Sequence, residues 1–242
     1  MRRYGRLDAL VTLTQADLLS YEHAYRRRGG NGPQTLIQIP NAVTRLSGGP
    51  AALTTKNAVT VGRLAYVKGH DLLIRAWVHV HARHPDWSLR IVGAGPRAAK
   101  LQMAIDKRGL RNRVLLEGAA RDVGAELDTA SLFVLGSRRE GMPMVILEAM
   151  SKGLPVISYD CPTGPAELIT HGFDGLLVEP GKIHAMADAI CTLIENEELR
   201  RQLGARALNT SARYRPTTIA AMWDQLLADL IDKKTRGVSL VK

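Results

Sequence analysis

Two carboxylates, Glu140 and Glu148, bracket the predicted start of a helix in this chain of 242 residues. Pro143 suits the first helical position, because its missing N–H would be unpaired there, and Gly153 suits the position after the last turn. With about 1.5 Å of rise per residue, Glu148 lies about 7–8 Å along the helix axis from Pro143. We therefore expect the carboxylates to be about 10 Å or more apart, beyond the pair spacing of about 5–9.5 Å in glycosidases.

The stretch between the two acids is suited to binding an anion. A helix start leaves backbone N–H groups unpaired and carries the positive end of the helix dipole. The predicted helix is apolar on nearly every side, which indicates a buried helix, so a charge at Glu148 needs a partner or a ligand. The pattern favours two acids that hold opposite ends of an extended ligand. A solvated glutamate on an amphipathic helix is the alternative interpretation of Glu148.

Two cations follow the first strong strand pattern. Arg63 and Lys68 lie five residues apart, and the glycines at positions 62 and 69 allow the backbone to approach an anion closely. A guanidinium and an ammonium at this spacing could neutralise a diphosphate without a metal. Two surface cations in a loop are the alternative.

Two further turns after strands carry weaker signals. Gly93 and Gly95 precede Pro96, but a lone G-x-G is weak, and without a third glycine it disfavours dinucleotide binding. A tight turn without a ligand is the alternative there. The turn from Glu117 to Ala119 could present backbone groups to a base edge.

The other chemically active residue types carry little. A plain turn explains Asp160 and Cys161 better than catalysis does. No G-x-S-x-G elbow occurs, which excludes the common α/β hydrolases. Four histidines fall in or beside one predicted helix without a metal-binding spacing, and we interpret them as surface or packing residues: His70, His79, His81 and His84.

The formal net charge of +10 suits nucleic acid, an anionic membrane surface or an acidic small molecule. Because the cations are dispersed and aromatic residues make up only 5% of the chain, we expect no nucleic-acid partner. Attraction to a membrane surface stays open beside a simple solvated face. Two cysteines, Cys161 and Cys191, predict a reducing compartment and no structural metal. Without a signal-peptide pattern or a run of about 20 apolar residues, we expect a cytoplasmic protein.

Apolar strand patterns alternate with helical periods from about Asn57 onward, which predicts an α/β fold with a doubly wound, Rossmann-like parallel sheet. The predicted strands are Ala58–Val61, Leu89–Val92, Val114–Leu116, Leu132–Leu135, Pro155–Ser158 and Gly175–Val178. The predicted helices are Asp71–Ala82, Arg97–Arg108, Gly124–Thr129, Pro143–Lys152, Pro165–His171, Ile183–Glu195, Glu198–Arg213 and Thr217–Asp232. A partial βαβ unit precedes them, formed by Leu7–Leu13, Gln15–Arg27 and Thr35–Ile39. We expect the tail from Lys233 to be frayed.

Taken in chain order, these motifs resemble one family. They are the glycine–arginine and lysine–glycine pairs at 62–63 and 68–69, the G-x-G-P at 93–96, the stretch from Ser137 to Pro143, and the segment from Glu148 to Ile157. They are similar to the nucleotide-sugar-binding half of the retaining GT-B glycosyltransferases called glycosyl transferases group 1. The resemblance covers about Ala58 to Leu230 and places the family's E-x7-E element at Glu140 and Glu148.

The resemblance implies roles for particular positions. Arg63 and Lys68 would contact and stabilise the leaving diphosphate, Glu140 the sugar hydroxyls and Glu148 the ribose hydroxyls. Catalysis would be electrostatic and would rest on Glu140, Arg63 and Lys68, without a metal or a cofactor. The residues expected to bind the donor are Arg63, Lys68, Gly95, Glu117, Glu140, Gly141, Met142, Pro143, Met144, Val145 and Glu148.

The resemblance also implies a division of the chain. Residues 1–46 would be a remnant of the acceptor-side domain, 47–57 a linker, 58–214 the nucleotide-sugar-binding domain, and 215–242 a crossover helix and tail. Because most of the acceptor side is missing, either a separate chain completes the cleft or the chain is a truncated form.

The implied function is transfer of a hexose from a UDP- or GDP-sugar to a glycan, lipid-linked or polysaccharide acceptor of the cell envelope. The chain would then work in the cytoplasm or peripherally at the inner membrane surface. A non-catalytic nucleotide-sugar-binding subunit is the alternative. A sugar-nucleotide epimerase fits the E-x7-E pattern poorly.

Overall fold

The computed structural model describes residues 7–27 and 33–239, with side chains as far as residue 235. The chain divides into two compact units. The first combines the two ends of the chain, Met1–Ala42 and Arg213–Lys242, and the second is the continuous segment Val43–Ala212.

Eight strands and nine α-helices occur within the described residues. The strands are β1 (Ala9–Thr12), β2 (Thr35–Gln38), β3 (Asn57–Val61), β4 (Ser88–Val92), β5 (Val114–Gly118), β6 (Leu132–Leu135), β7 (Val156–Tyr159) and β8 (Gly175–Val178). The helices are α1 (Gln15–Arg26), α2 (His70–Arg83), α3 (Ala98–Asp106), α4 (Val123–Asp128), α5 (Met144–Ser151), α6 (Pro165–Leu168), α7 (Ile183–Glu195), α8 (Glu197–Ser211) and α9 (Pro216–Ser239). Short 3₁₀ turns at Tyr66–Lys68 and Ala212–Tyr214 complete the set.

The second unit is built on a six-stranded parallel sheet in the order β5-β4-β3-β6-β7-β8. Every residue of β6 and β7 is buried, as expected for central strands covered by helices on both faces. The order reverses direction between β3 and β6. Ligands of doubly wound sheets bind outside the carboxyl ends of the strands at such a switch point. The topology therefore directs attention to the loops that follow β3 and β6.

The first unit is a βαβ motif completed by the last helix. Strands β1 and β2 pair in parallel, and their apolar side chains pack with α9 around buried Ile39, Ile219 and Leu226. The apolar residues of this helix are only partly covered, because Trp223 and Leu227 stay 42% and 53% exposed.

Every predicted helix except α7 differs from the structure at one or both ends, and three of these differences have a clear local cause. Helix α9 continues to Ser239 instead of fraying from Lys233, since no glycine or proline interrupts it before position 237. Helix α6 ends at Leu168, not at His171, because Ile169 turns extended. Pro143 precedes the first turn of α5 as its N-cap, in an extended conformation, and does not occupy the first helical position.

Among the described residues, no helix is both long enough and apolar enough to cross a bilayer.

Candidate functional site

The loops after β3 and β6 touch through two glycines. Gly69 has a φ of +63°, and a Cβ on it would lie 1.8 Å from the carbonyl oxygen of Gly136. A Cβ on Gly136 would in turn lie 2.7 Å from the Leu73 side chain. Glycine is required at both positions because any side chain would separate the loops. This contact sets the distance between the cations of the first loop and the acid of the second.

The loop after β4 packs against the loop after β3 in the same way. A Cβ on Gly95 would lie 2.6 Å from the carbonyl oxygen of Leu64, and one on Gly93 would lie 2.0 Å from that of Gly62. Two hydrogen bonds cross between the loops, from Leu64 N–H to the Ala94 carbonyl at 2.9 Å and from Arg97 N–H to the Leu64 carbonyl at 3.0 Å. The predicted G-x-G turn thus packs against and supports the loop that carries Arg63.

Lys68 and Glu140 form an ion pair at this edge. Lys68 Nζ donates to Oε1 and Oε2 of Glu140 at 2.7 and 3.0 Å, and the Ser137 hydroxyl donates to Oε1 at 2.6 Å. The Glu140 side chain is only 9% exposed, whereas that of Lys68 is 27% exposed. The carboxylate therefore has a fixed orientation, and the ammonium remains within reach of solvent.

Arg63 differs from Lys68 in its surroundings. Its residue is exposed, and within the described part of the chain its side chain makes no hydrogen bond or ion pair. A guanidinium without a partner at the carboxyl edge of the sheet is available to an anionic ligand.

The loop after β7 contacts the loop after β6. From the sequence we predicted only a plain turn there. Thr163 has a φ of +63°, and its hydroxyl donates to the Glu140 carbonyl at 2.5 Å. A Cβ on Gly164 would lie 2.4 Å from the Gly141 carbonyl oxygen. Burial and the nearby Glu140 charge raise the pKa of Cys161 to about 11, so this thiol stays protonated near neutral pH and is a poor nucleophile.

Helix α5 carries the anion-binding pattern and ends at Ser151, one residue before the predicted end, with Gly153 following it as expected. Its N-cap is Pro143, so no side chain caps the first-turn N–H groups. Gly141 is exposed, whereas Met142, Met144 and Val145 are half-buried and Pro143 is buried. Gly153 has a φ of +68° and donates to the Met150 carbonyl at 2.9 Å, which closes the helix.

Glu148 lies on the partly solvent-facing side of this helix. Burial raises the pKa of its carboxyl group, and a hydrogen bond with the Thr44 side chain opposes that shift. Thr44 is exposed and belongs to the segment that leads into the second unit. Neither Thr44 nor Ser137 nor Thr163 was assigned a role from the sequence, because a lone hydroxyl residue has no periodic or spacing signal.

The raised pKa predicts that Glu148→Gln stabilises the fold at pH 7. The charged carboxylate opposes folding once the pH rises above its unfolded-state pKa, and at lower pH both states are protonated and the difference vanishes. We expect a gain below about 1 kcal/mol, because solvent screens a half-exposed group. Urea unfolding at pH 7 and at about pH 4 measures it. Glu198 is exposed on α8, so Glu198→Gln is the control. A loss of stability in Glu148→Gln at pH 7 would contradict the prediction.

Glu117 is tied to its neighbours by its side chain. Arg90 Nε donates to Oε1 of Glu117 at 2.8 Å, and the same guanidinium also binds Glu126. The adjacent Gly118 carbonyl accepts a hydrogen bond from Gly93 N–H at 2.6 Å, which brings the end of β5 to the G-x-G turn. The Glu117 carboxylate is therefore engaged, and a contact with a base from this turn stays a prediction for its backbone.

No group of three or more histidine, cysteine, aspartate or glutamate side chains arranged for a metal occurs within residues 7–27 and 33–235.

Comparison with known families identifies the family of proteins to which this candidate site belongs. The model of the family described as glycosyl transferases group 1 matches residues 49–210. This chain belongs to that family. The glycosyl transferases group 1 are enzymes, and their match covers all four loops described above. The parallel six-stranded unit is the C-terminal domain type of the GT-B glycosyltransferases.

Relatives and solved structures of group 1 type support this assignment. An exopolysaccharide phosphotransferase of Streptomyces coelicolor is 37% identical over 233 residues, which cover 96% of this chain and 24% of that protein. An amylovoran biosynthesis glycosyltransferase of Erwinia amylovora is 30% identical over 93% of this chain and 63% of its own length. A crystal structure of TarM from S. aureus, in complex with fondaparinux, α-GlcNAc-glycerol and UDP, has a TM-score of 0.83 at 25% identity over 93% of this chain and 44% of TarM. This chain therefore spans less than two thirds of the length of each of these three proteins.

Proposed function

We propose that this chain binds a nucleotide-diphosphate sugar at the carboxyl edge of its six-stranded sheet and acts as a retaining hexosyltransferase. The observation that carries the proposal is the charge arrangement at that edge. Arg63, whose side chain has no partner among the described residues, and the partly exposed Lys68 lie in the loop after β3, which contacts the loop leading into the uncapped start of α5. Glu140 in that second loop is held by Lys68. Such a set matches a diphosphate flanked by two groups rich in hydroxyls.

The proposed roles follow from what each side chain has free. Arg63 and Lys68 bind the diphosphate and stabilise it as it leaves, which requires no metal and no cofactor in this proposal. Glu140 accepts hydrogen bonds from sugar hydroxyls, and Glu148 accepts them from the ribose in place of Thr44. The first-turn amides of α5 bind phosphate oxygens. UDP is the first nucleotide to test, because TarM was crystallised with UDP.

The acceptor in this proposal is a glycan, a lipid-linked sugar or a polysaccharide of the cell envelope. One relative is named an exopolysaccharide phosphotransferase and another an amylovoran biosynthesis glycosyltransferase. A positively charged chain is suited to work in the cytoplasm beside an anionic membrane surface. The alternative is a donor-binding subunit that transfers sugar only with a separate chain.

Titration calorimetry with UDP, GDP and their sugars tests the donor site. We expect Arg63→Gln to weaken nucleotide binding about 10-fold or more, because a charge-assisted hydrogen bond contributes about 1.5–3 kcal/mol. Lys107→Gln removes the same charge from the far end of α3 and is expected to change the affinity less than about 2-fold. If no nucleotide binds, or both variants behave alike, the proposed site is wrong.

A further inference from the structure

We infer that Arg138 and Asp71 are positioning residues that hold Lys68 and Glu140 in register, a role that rests on the proposed donor site. Arg138 lies between Ser137 and Glu140 in the loop after β6, and Asp71 lies three residues after Lys68 in the first turn of α2. Each member of the pair is thus within three residues of one partner of the Lys68–Glu140 ion pair.

The two side chains form a bidentate ion pair. Arg138 Nη1 donates to Asp71 Oδ1 at 2.9 Å, and Nη2 donates to Oδ2 at 2.7 Å. Both side chains are about one quarter exposed, which screens the pair less than at an open surface. A fork of this kind fixes direction as well as distance. The pair therefore joins the start of α2 to the loop after β6 in one geometry.

Arg138 also holds the 3₁₀ turn that ends in Lys68. Its Nη1 donates to the Tyr66 carbonyl at 2.7 Å, and its backbone N–H donates to the Val67 carbonyl at 2.8 Å. These bonds engage both residues immediately before Lys68. The position of the ammonium is therefore set by a neighbouring loop, not by its own flexible side chain alone.

The Tyr66 ring extends this contact to a third loop. The guanidinium carbon of Arg138 lies 4.0 Å from the ring centroid, and that of Arg97, in the loop after β4, lies 5.1 Å from it. Cation–π contacts of this kind contribute about 0.5–1 kcal/mol at exposed sites. One exposed tyrosine thus connects the loops after β3, β4 and β6.

The same contacts separate Arg138 from the cations that bind donor. Its side-chain hydrogen bonds go to Asp71 and Tyr66, whereas the Arg63 side chain has none within the described residues. Hydrogen bonding to the Asp71 carboxylate raises the pKa of Arg138. Burial acts to raise the pKa of Asp71, but the hydrogen bonds it accepts from Arg138 and the charge of that residue bring it below its usual value. The pair stays ionised and neutral overall, so it contributes no net charge to the diphosphate.

A double-mutant cycle on nucleotide affinity tests whether Arg138 acts through Lys68. We expect Arg138→Gln and Lys68→Gln each to weaken UDP binding about 10-fold, and the double variant to be no more than about 3-fold weaker than Lys68→Gln alone. Arg138→Lys keeps the charge but not the fork, so it should behave like Arg138→Gln. Full additivity, or full rescue by lysine, overturns the inference.

Hydrogen exchange of the 62–69 segment provides a measurement that needs no ligand. Arg138→Gln should speed exchange there, because the turn loses its hold on the loop after β6. Arg111→Gln is the matched control, since Arg111 makes a similar fork with Asp106 at 3.0 and 2.7 Å at the end of α3. Unchanged exchange in Arg138→Gln overturns the positioning role. Faster exchange in Arg138→Gln, combined with a wild-type chain that binds neither UDP nor GDP, rejects the proposed function but retains the positioning role.

Discussion

Gly69→Ala is expected to cost about 2–5 kcal/mol of unfolding free energy and to abolish nucleotide binding. The left-handed backbone conformation alone costs an alanine about 1–2 kcal/mol. The added Cβ would also lie 1.8 Å from the Gly136 carbonyl oxygen, so the two loops must separate, and such overpacking costs about 1–3 kcal/mol more. Because Lys68 precedes Gly69 directly, the separation also moves the ammonium away from Glu140.

Gly109→Ala separates the two contributions. Gly109 has a φ of +68°, but nothing lies within 4 Å of a Cβ built there, so alanine meets only the backbone cost. Urea unfolding of both variants gives the two free energies, and calorimetry with UDP gives the affinities. We expect Gly109→Ala to lose about 1 kcal/mol and to keep wild-type affinity. Equal losses in the two variants would show that the loops do not constrain each other.

Glu140→Gln is expected to lower donor turnover about 100-fold while UDP binds as tightly as before or more tightly. The carboxylate is oriented by Ser137 and Lys68, and in the proposed mechanism its contacts are with the sugar, whose charge develops only in the transition state. A 100-fold loss corresponds to about 2.7 kcal/mol of transition-state stabilisation. Removing the negative charge also frees Lys68 to bind the diphosphate. We therefore expect the UDP affinity to stay the same or to rise while the turnover falls.

Release of UDP from UDP-sugars, with and without oligosaccharide acceptors, measures turnover, and calorimetry measures UDP affinity. Glu198→Gln on the exposed face of α8 is the matched control. A Glu140→Gln chain that binds UDP about 10-fold more weakly would place the acid on the nucleotide or in the fold instead of on the sugar. Turnover that survives the change would remove Glu140 from the chemistry.

The sheet could be predicted from the sequence because its strands are short, apolar runs separated by helical periods. β6 and β8 have the predicted bounds, and the other strands of the sheet differ by one or two residues. Helix ends were less predictable. Pro143 precedes α5, although we predicted it inside the helix. Proline is compatible with both the N-cap and the first helical position, so the sequence does not distinguish them.

The candidate site could be predicted only where a residue's type announced its chemistry. Charged residues beside glycines, such as Lys68 and Glu140, were found from spacing. Asp71 was visible in the sequence only as one member of a helix start. Thr163 and Arg138 act through partners more than 20 and more than 60 residues away, and only the folded sheet edge brings them together.

The order in which the chain is synthesised has a consequence for the folding of the first unit. Strands β1 and β2 leave the ribosome before the second unit does, but their core partners Ile219 and Leu226 are made some 180 residues later. The intervening segment, Val43–Ala212, has its own core and can fold while the βαβ motif still waits for α9. A chain that stops before α9 would therefore leave β1 and β2 without their core, although the missing helix is far from them in the sequence.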